Sequence, residues 1–199
     1  MSKGTETSVL NHRRTGGVRL FGNLRVMAAA ALLSALSVVL GKYLAISTEL
    51  FRISFENLPI LMAGLFFGPL VGGVVGAVAD LVGCLMVGYA INPLITLGGA
   101  SVGVVSGLVA WYIFPRHIER LSSPRIFVPV MSAHAVGSML IKSAGMAIYF
   151  GAPIETLVWR VPLYLVIGAT EGLIVMLLMK NKLFAGELTR LLRGKRNHR

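Results

Sequence analysis

The sequence predicts an all-α membrane protein, a bundle of six transmembrane helices with the N-terminus and the C-terminus both cytoplasmic. Three observations predict it. Of the 199 residues 55% are apolar and only 14% are charged, with a mean hydropathy of +0.77, whereas soluble domains carry roughly a quarter of charged residues. The apolar residues fall into six blocks separated by short polar or Gly/Pro-containing loops. The Lys and Arg residues cluster at the two chain ends and in one internal loop, which orients a membrane bundle rather than building the continuous basic face of a nucleic-acid binder.

The chain divides into a polar, basic cytoplasmic segment (residues 1–24), one membrane domain (25–180) and a basic cytoplasmic tail (181–199) that forms at most an amphipathic surface helix. The first apolar block, Val26–Ile46, starts late and is followed by five more, so it reads as a span and not as a cleavable signal. The second, Asn57–Phe67, is too short to cross alone unless Arg52–Phe55 extends it, since a span needs about 20 residues. Between it and the third block, Pro69–Val87, stands Phe67-Gly68-Pro69. Proline removes a helix hydrogen bond and glycine admits turn conformations, so a tight hairpin is expected there. The remaining blocks are Asn92–Phe114, Ile126–Phe150 and Leu157–Met179.

Charge sets the parity. Lys3, Arg13, Arg14, Arg19 and Arg25 precede the first block, seven basic residues from Lys180 to Arg199 follow the last, and Arg116, Arg120 and Arg125 lie in the loop after the fourth. An even number of crossings places all fifteen on the inside, as the positive-inside bias requires. The lone cysteine, Cys84, excludes a disulfide framework and offers no metal-ligand spacing, and reads as a small packing residue.

Four cations remain, Lys42, Arg52, Lys142 and Arg160, all in or near the outer half. Lys42 and Arg160 stand close enough to helix ends to snorkel toward headgroups. Lys142 lies eight residues below Phe150, about 12 Å inside its helix, and needs a partner or a wet cavity. Asp80, about 10 Å deep by the same rise, is in reach as an ion-pair partner; the pair and a polar ligand reader are both open readings. Intramembrane charges face the bundle interior, so these groups with the outer loops define an outward-open pocket whose excess of cations suits an anionic ligand. Phe51, Phe55, Tyr89, Trp159 and Tyr164 share that height, as ring-stacking partners or as an interfacial aromatic belt. His134 and Glu171 lie deeper, better placed to bond each other than to meet an external ligand; a proton relay is the other reading.

Small residues mark close helix approaches. Gly72, Gly73 and Gly76 in the third block, and Gly99, Gly103 and Gly107 in the fourth, suit internal packing. Ala31 and Ala35, four apart on the first helix with Met27 nearby, suit internal packing or a partner subunit, and spacing alone does not choose.

The run from Arg52 to Pro69, RISFENLPILMAGLFFGP, continuing to Asp80-Leu-Val-Gly and the loop Tyr89-Ala-Ile-Asn92-Pro93, resembles the S component of energy-coupling factor (ECF) vitamin transporters, the folate-specific branch above others. The resemblance covers roughly residues 25–110. It implies a substrate-binding subunit in the bacterial cell membrane that captures folate from outside with its first outer loop as a lid. It also implies an AxxxA face, here Ala31 and Ala35, that docks on a transmembrane T subunit, and two partner ATPase subunits that use ATP. The chain itself then needs no cofactor or metal and catalyses nothing, and it has no GxxxxGK[ST] phosphate loop. On this reading Arg52, Phe55, Asp80, Tyr89, Asn92, Lys142, Trp159, Arg160 and Tyr164 are the substrate-binding candidates, with Arg52 or Arg160 gripping a carboxylate. Riboflavin, thiamine, pantothenate or a queuosine precursor are alternative ligands. A structural membrane subunit, or an intramembrane enzyme built on His134 and Glu171, are readings of another class.

Overall fold

The computed structural model describes residues 23–47, 52–114 and 123–181, together with 183, 184, 186 and 188. The basic N-terminal segment, most of the loop around Arg116 and Arg120, and most of the C-terminal tail lie outside them. Among the described residues, six helices of eleven residues or more follow in order: α1 (Leu24–Tyr43), α2 (Asn57–Phe67), α3 (Pro69–Val87), α4 (Pro93–Ile113), α5 (Ser123–Phe150) and α6 (Ile154–Lys180). Between α1 and α2 a minimal antiparallel pair, β1 (Ile46–Ser47) and β2 (Arg52–Ile53), sets Ile46 opposite Ile53 and Ser47 opposite Arg52.

Five helices are long and apolar enough to cross a membrane, and α2, with eleven residues, is not. Every residue of α2 except Leu58 is buried, so it is surrounded by protein rather than lipid. The hairpin expected at Gly68-Pro69 is present. Gly68 has φ +92°, a conformation that only glycine adopts readily, and Pro69 occupies the first turn of α3, where its missing N–H goes unneeded. Trp111 closes over the corner, its Nε1–H donating to the Leu65 carbonyl at 3.2 Å.

Packing at the centre is backbone on backbone. Gly64 of α2 and Gly72 and Gly76 of α3 meet Gly99, Gly103 and Gly107 of α4 so closely that a methyl group on Gly103 overlaps the Gly72 backbone. Lipid supplies no hydrophobic drive between helices, so van der Waals contact between small residues must hold them. The outer surface is apolar in kind, with Leu24, Leu32, Leu85, Ile148 and Val166 all strongly exposed. Ala31 and Ala35 belong to that exposed surface, while Ser34, Ser37 and Val38 turn inward, so α1 leaves its small-residue face uncovered.

Replacing Gly103 by Ala forces backbone, not a flexible side chain, to move. We expect a loss of about 1–3 kcal/mol or more, read as a lower thermal midpoint in detergent; an unchanged midpoint contradicts the backbone contact.

Candidate functional site

At one end of the bundle a partly open cavity of about 450 Å³ is lined by Lys42, Ser54, Glu56, Asp80, Cys84, Tyr89, Ala90, Asn92, Ile95, Lys142, Met146, Phe150, Arg160 and Tyr164. That volume is within the roughly 300–1,000 Å³ typical of small-molecule sites. Each helix except the short α2 brings side chains to it, and Glu56 stands immediately before α2.

The deepest cation is the best satisfied. Lys142 Nζ donates to Glu56 Oε1 at 2.7 Å and to Asn57 Oδ1 at 3.3 Å, with side-chain exposures of 7% for Lys142 and 25% for Glu56. Of the two readings open for Asp80, the ion pair with Lys142 is not the one the structure shows. Asp80 lines the same cavity, but its Oδ2 accepts from Thr96 Oγ1 at 2.6 Å. Glu56 and Asn57, at the entry to α2, both reach the Lys142 Nζ, a placement that counting depth along helices does not reveal.

The other two cations are differently placed. Lys42 lies over the Tyr89 ring, 5.8 Å from its centroid, and its aliphatic stem covers Gly83, so it reaches into the cavity rather than toward headgroups. Arg160 lies 5.1 Å from the Tyr164 ring centroid and donates to the Ser138 carbonyl at 3.2 Å, to Tyr164 Oη at 3.4 Å and to Met146 Sδ at 2.8 Å. A thioether is a weak acceptor, and the Arg160 Nε is buried with no hydrogen-bond partner. Among the described residues neither Lys42 nor Arg160 makes an ion pair.

Asn92 has two tasks. Its Oδ1 caps α4 by accepting from the N–H groups of Leu94 at 3.0 Å and Ile95 at 3.4 Å, while its Nδ2, buried and without a partner, is left beside the cavity. Three cations stand against two carboxylates on the cavity wall, and two donor groups, on Arg160 and Asn92, lack acceptors. Such a wall is built to receive acceptor oxygens.

Of the candidates from sequence, the structure brings Asp80, Tyr89, Asn92, Lys142, Arg160 and Tyr164 together. Phe55 is half-buried but not on the cavity wall, and Trp159 is 66% exposed and away from it. The side chain of Arg52, and Phe51 altogether, fall outside the described residues. Sequence reasoning missed Glu56, although it stands inside the Arg52–Pro69 run, and it treated Cys84 as packing. The His134–Glu171 hydrogen bond is present at 2.6 Å between two fully buried side chains.

Fold and cavity together define a multi-pass membrane protein with a cavity between its helices that charged and aromatic side chains line. A model of the family of ECF transporter substrate-specific components matches residues 25–185, and the chain belongs to that family. It is a transport component and not an enzyme. Over 63 residues it is 38% identical to the folate transporter FolT of Clostridium novyi (strain NT), covering 32% of this chain and 37% of that one. Over 67 residues it is 36% identical to an uncharacterised MG313 homolog of Mycoplasma pneumoniae (strain ATCC 29342 / M129 / Subtype 1), covering 34% and 24%. The chain thus aligns with between about a quarter and little more than a third of the length of these relatives. Among solved structures it resembles FolT bound with folic acid (TM-score 0.60, 22% identity, 75% of this chain and 89% of that one). It resembles the S component of a bacterial ECF transporter similarly (TM-score 0.59, 20% identity, 78% and 93%). At these identities the likeness is one of fold.

Removing one member of a buried ion pair takes from the other the charge that offsets its desolvation. Lys142→Met is expected to cost about 3 kcal/mol, near the lower end for buried pairs because Glu56 is partly exposed. The double variant Glu56→Gln/Lys142→Met should recover most of it in thermal unfolding; a double variant as unstable as the single one contradicts the pairing.

Proposed function

We propose that this chain is the folate-binding subunit of an ECF importer. The observation that carries the reading is the cavity wall: Lys42 and Arg160, neither ion-paired among the described residues, stand beside Tyr89, Tyr164 and Phe150. Folate has matching parts, a flat pterin and an aminobenzoate ring for aromatic neighbours and a glutamate with two carboxylates for the cations. Arg160 has a buried Nε free for a carboxylate, and charge-assisted, forked pairing is what guanidinium does best. Asp80 and the free Nδ2 of Asn92 suit the donor and acceptor edges of a pterin. The name of the Clostridium novyi relative points the same way.

In this reading the subunit crosses the plasma membrane of a bacterium six times, α2 completing its crossing with the segment before it, and both termini are cytoplasmic. The exposed Ala31 and Ala35 face docks on a transmembrane T subunit. Two partner ATPase subunits use ATP, and this chain binds no nucleotide.

Purified in detergent without ligand, the protein should give saturable heat with folate and none with riboflavin, thiamine or pantothenate. Arg160→Ala should weaken folate binding about ten- to hundredfold, the range for hydrogen bonds to a charged group. Folate should also slow alkylation of Cys84, the sole cysteine, which lines the cavity. Tight binding of another vitamin removes the folate assignment, and no binding at all removes the transport-ligand reading of the cavity.

Topology has its own test. Single cysteines placed at Ser2 and Asn197 in a Cys84→Ser background should react with a membrane-impermeant maleimide only after the cells are opened. Labelling of just one of them in intact cells contradicts an even number of crossings, and labelling of both contradicts cytoplasmic termini.

A further inference from the structure

Beneath the cavity the His134–Glu171 pair has no role in the reading above, yet it is built into the support of Arg160. On α6, Arg160, Tyr164, Gly168 and Glu171 recur at intervals of four, four and three and so share one face. On α5, His134, Ser138 and Lys142 recur at intervals of four, and all three are buried, His134 and Ser138 completely. The two rows interlock. His134 Nε2 bonds Glu171 Oε2 at 2.6 Å, and its Nδ1 lies 3.3 Å from Ser138 Oγ. The imidazole packs on the Tyr164 ring at 5.6 Å between centroids and 34° between planes. Both neighbours of His134 contact Arg160, Tyr164 with its ring and hydroxyl, Ser138 with its carbonyl oxygen.

Space for this arrangement exists only because Gly168 lacks a side chain. A methyl group there comes within 2.9 Å of His134 Cδ2. An apolar pair of similar volume can join two helices with less desolvation cost than a buried acid and imidazole. The polarity of the pair is therefore accounted for by what it orients.

We propose that His134 and Glu171 are positioning residues for anion recognition: Glu171 fixes the imidazole, and the imidazole buttresses Tyr164, whose ring and hydroxyl, beside the Ser138 main-chain carbonyl, aim the Arg160 guanidinium into the cavity. This inference rests on the folate reading, and it deepens it by separating recognition of the glutamate from recognition of the ring system. Neither residue touches the ligand.

The test compares folate with pteroic acid, which keeps the pterin and benzoate but lacks the glutamate, in calorimetric titrations of the full chain. Two variants are used. His134→Phe/Glu171→Leu keeps a ring against Tyr164 while removing the buried polarity, and Gly168→Ala keeps both polar groups while displacing the imidazole. Size-exclusion elution and the thermal midpoint establish that each is folded.

In both, folate affinity should fall about tenfold, the scale of one hydrogen bond to a charged group, while pteroate affinity stays within about twofold, less than a neutral hydrogen bond is worth. In an Arg160→Ala background the same changes should cost folate nothing further, because residues that act through a third show non-additive effects. Equal loss of folate and pteroate, an undiminished loss in the Arg160→Ala background, or no loss at all each overturns the proposal in favour of a packing role. If the unmodified protein binds no folate, the functional reading itself fails, and that is seen before any variant is made.

Discussion

An ammonium group inside an apolar bundle has to be answered by its neighbours, because an uncompensated charge there costs more than the fold can supply. Lys142 is that group, and much of the polar architecture follows from it. Glu56 and Asn57 bind its Nζ from the start of α2, which pins the short helix at a fixed height against α5. Asn57 Nδ2 then donates to Ser138 Oγ at 3.4 Å, and Ser138 connects to His134 and Arg160. One buried cation thus ties α2 to α5, and through Ser138 the tie extends to α6. Helices that share few large apolar contacts in lipid gain their register from such bonds.

Close backbone packing does the complementary task on the other side of α2. The glycine rows of α3 and α4 bring main chains together where no side chain fits, and the resulting group of α2, α3 and α4 is rigid in the sense that a single methyl group disrupts it. Rigid glycine contacts fix where Asp80 and Asn92 stand, since one lies on α3 four residues beyond Gly76 and the other caps α4. The cavity is therefore formed between a densely packed unit, α2 to α4, and the longer helices α5 and α6 that carry Lys142, Arg160 and Tyr164.

Helix boundaries were legible in the sequence because strong local signals mark them. Asn57–Phe67 and Pro69–Val87 coincide with the helices observed, since Gly68-Pro69 permits no continuous helix. Asn92-Pro93 and the end of α5 at Phe150 are equally legible, through side-chain capping and the glycine that follows. Helices α1 and α6 begin two or three residues earlier than hydropathy suggests, as Asn23 and Pro153 start them from polar sequence. What hydropathy and depth could not supply is direction around each helix. Trp159 and Arg160 are adjacent and equally deep, yet one is exposed and the other lines the cavity. Likewise Asp80 is at the right height for Lys142, but Thr96 takes its carboxylate and Glu56 takes the lysine. The choice depends on which residues of α2 and α4 face them, a tertiary fact with no periodic signature in one chain.

A binding site in such a bundle must reconcile two demands. Every buried polar group needs a partner when the cavity is empty, and some must be left available for the ligand. The structure separates these roles by residue. Lys142 is ion-paired with Glu56 and donates to Asn57, whereas Arg160 uses a weak thioether acceptor and leaves its Nε unbonded, and Asn92 spends its oxygen on a helix cap and keeps its amide nitrogen spare. A carboxylate arriving beside Arg160 would exchange a poor acceptor for a good one without disturbing the ion pair that holds α2. On the proposed reading, selectivity for an anionic ligand comes from groups that the fold leaves under-satisfied, and stability from the ones it does not.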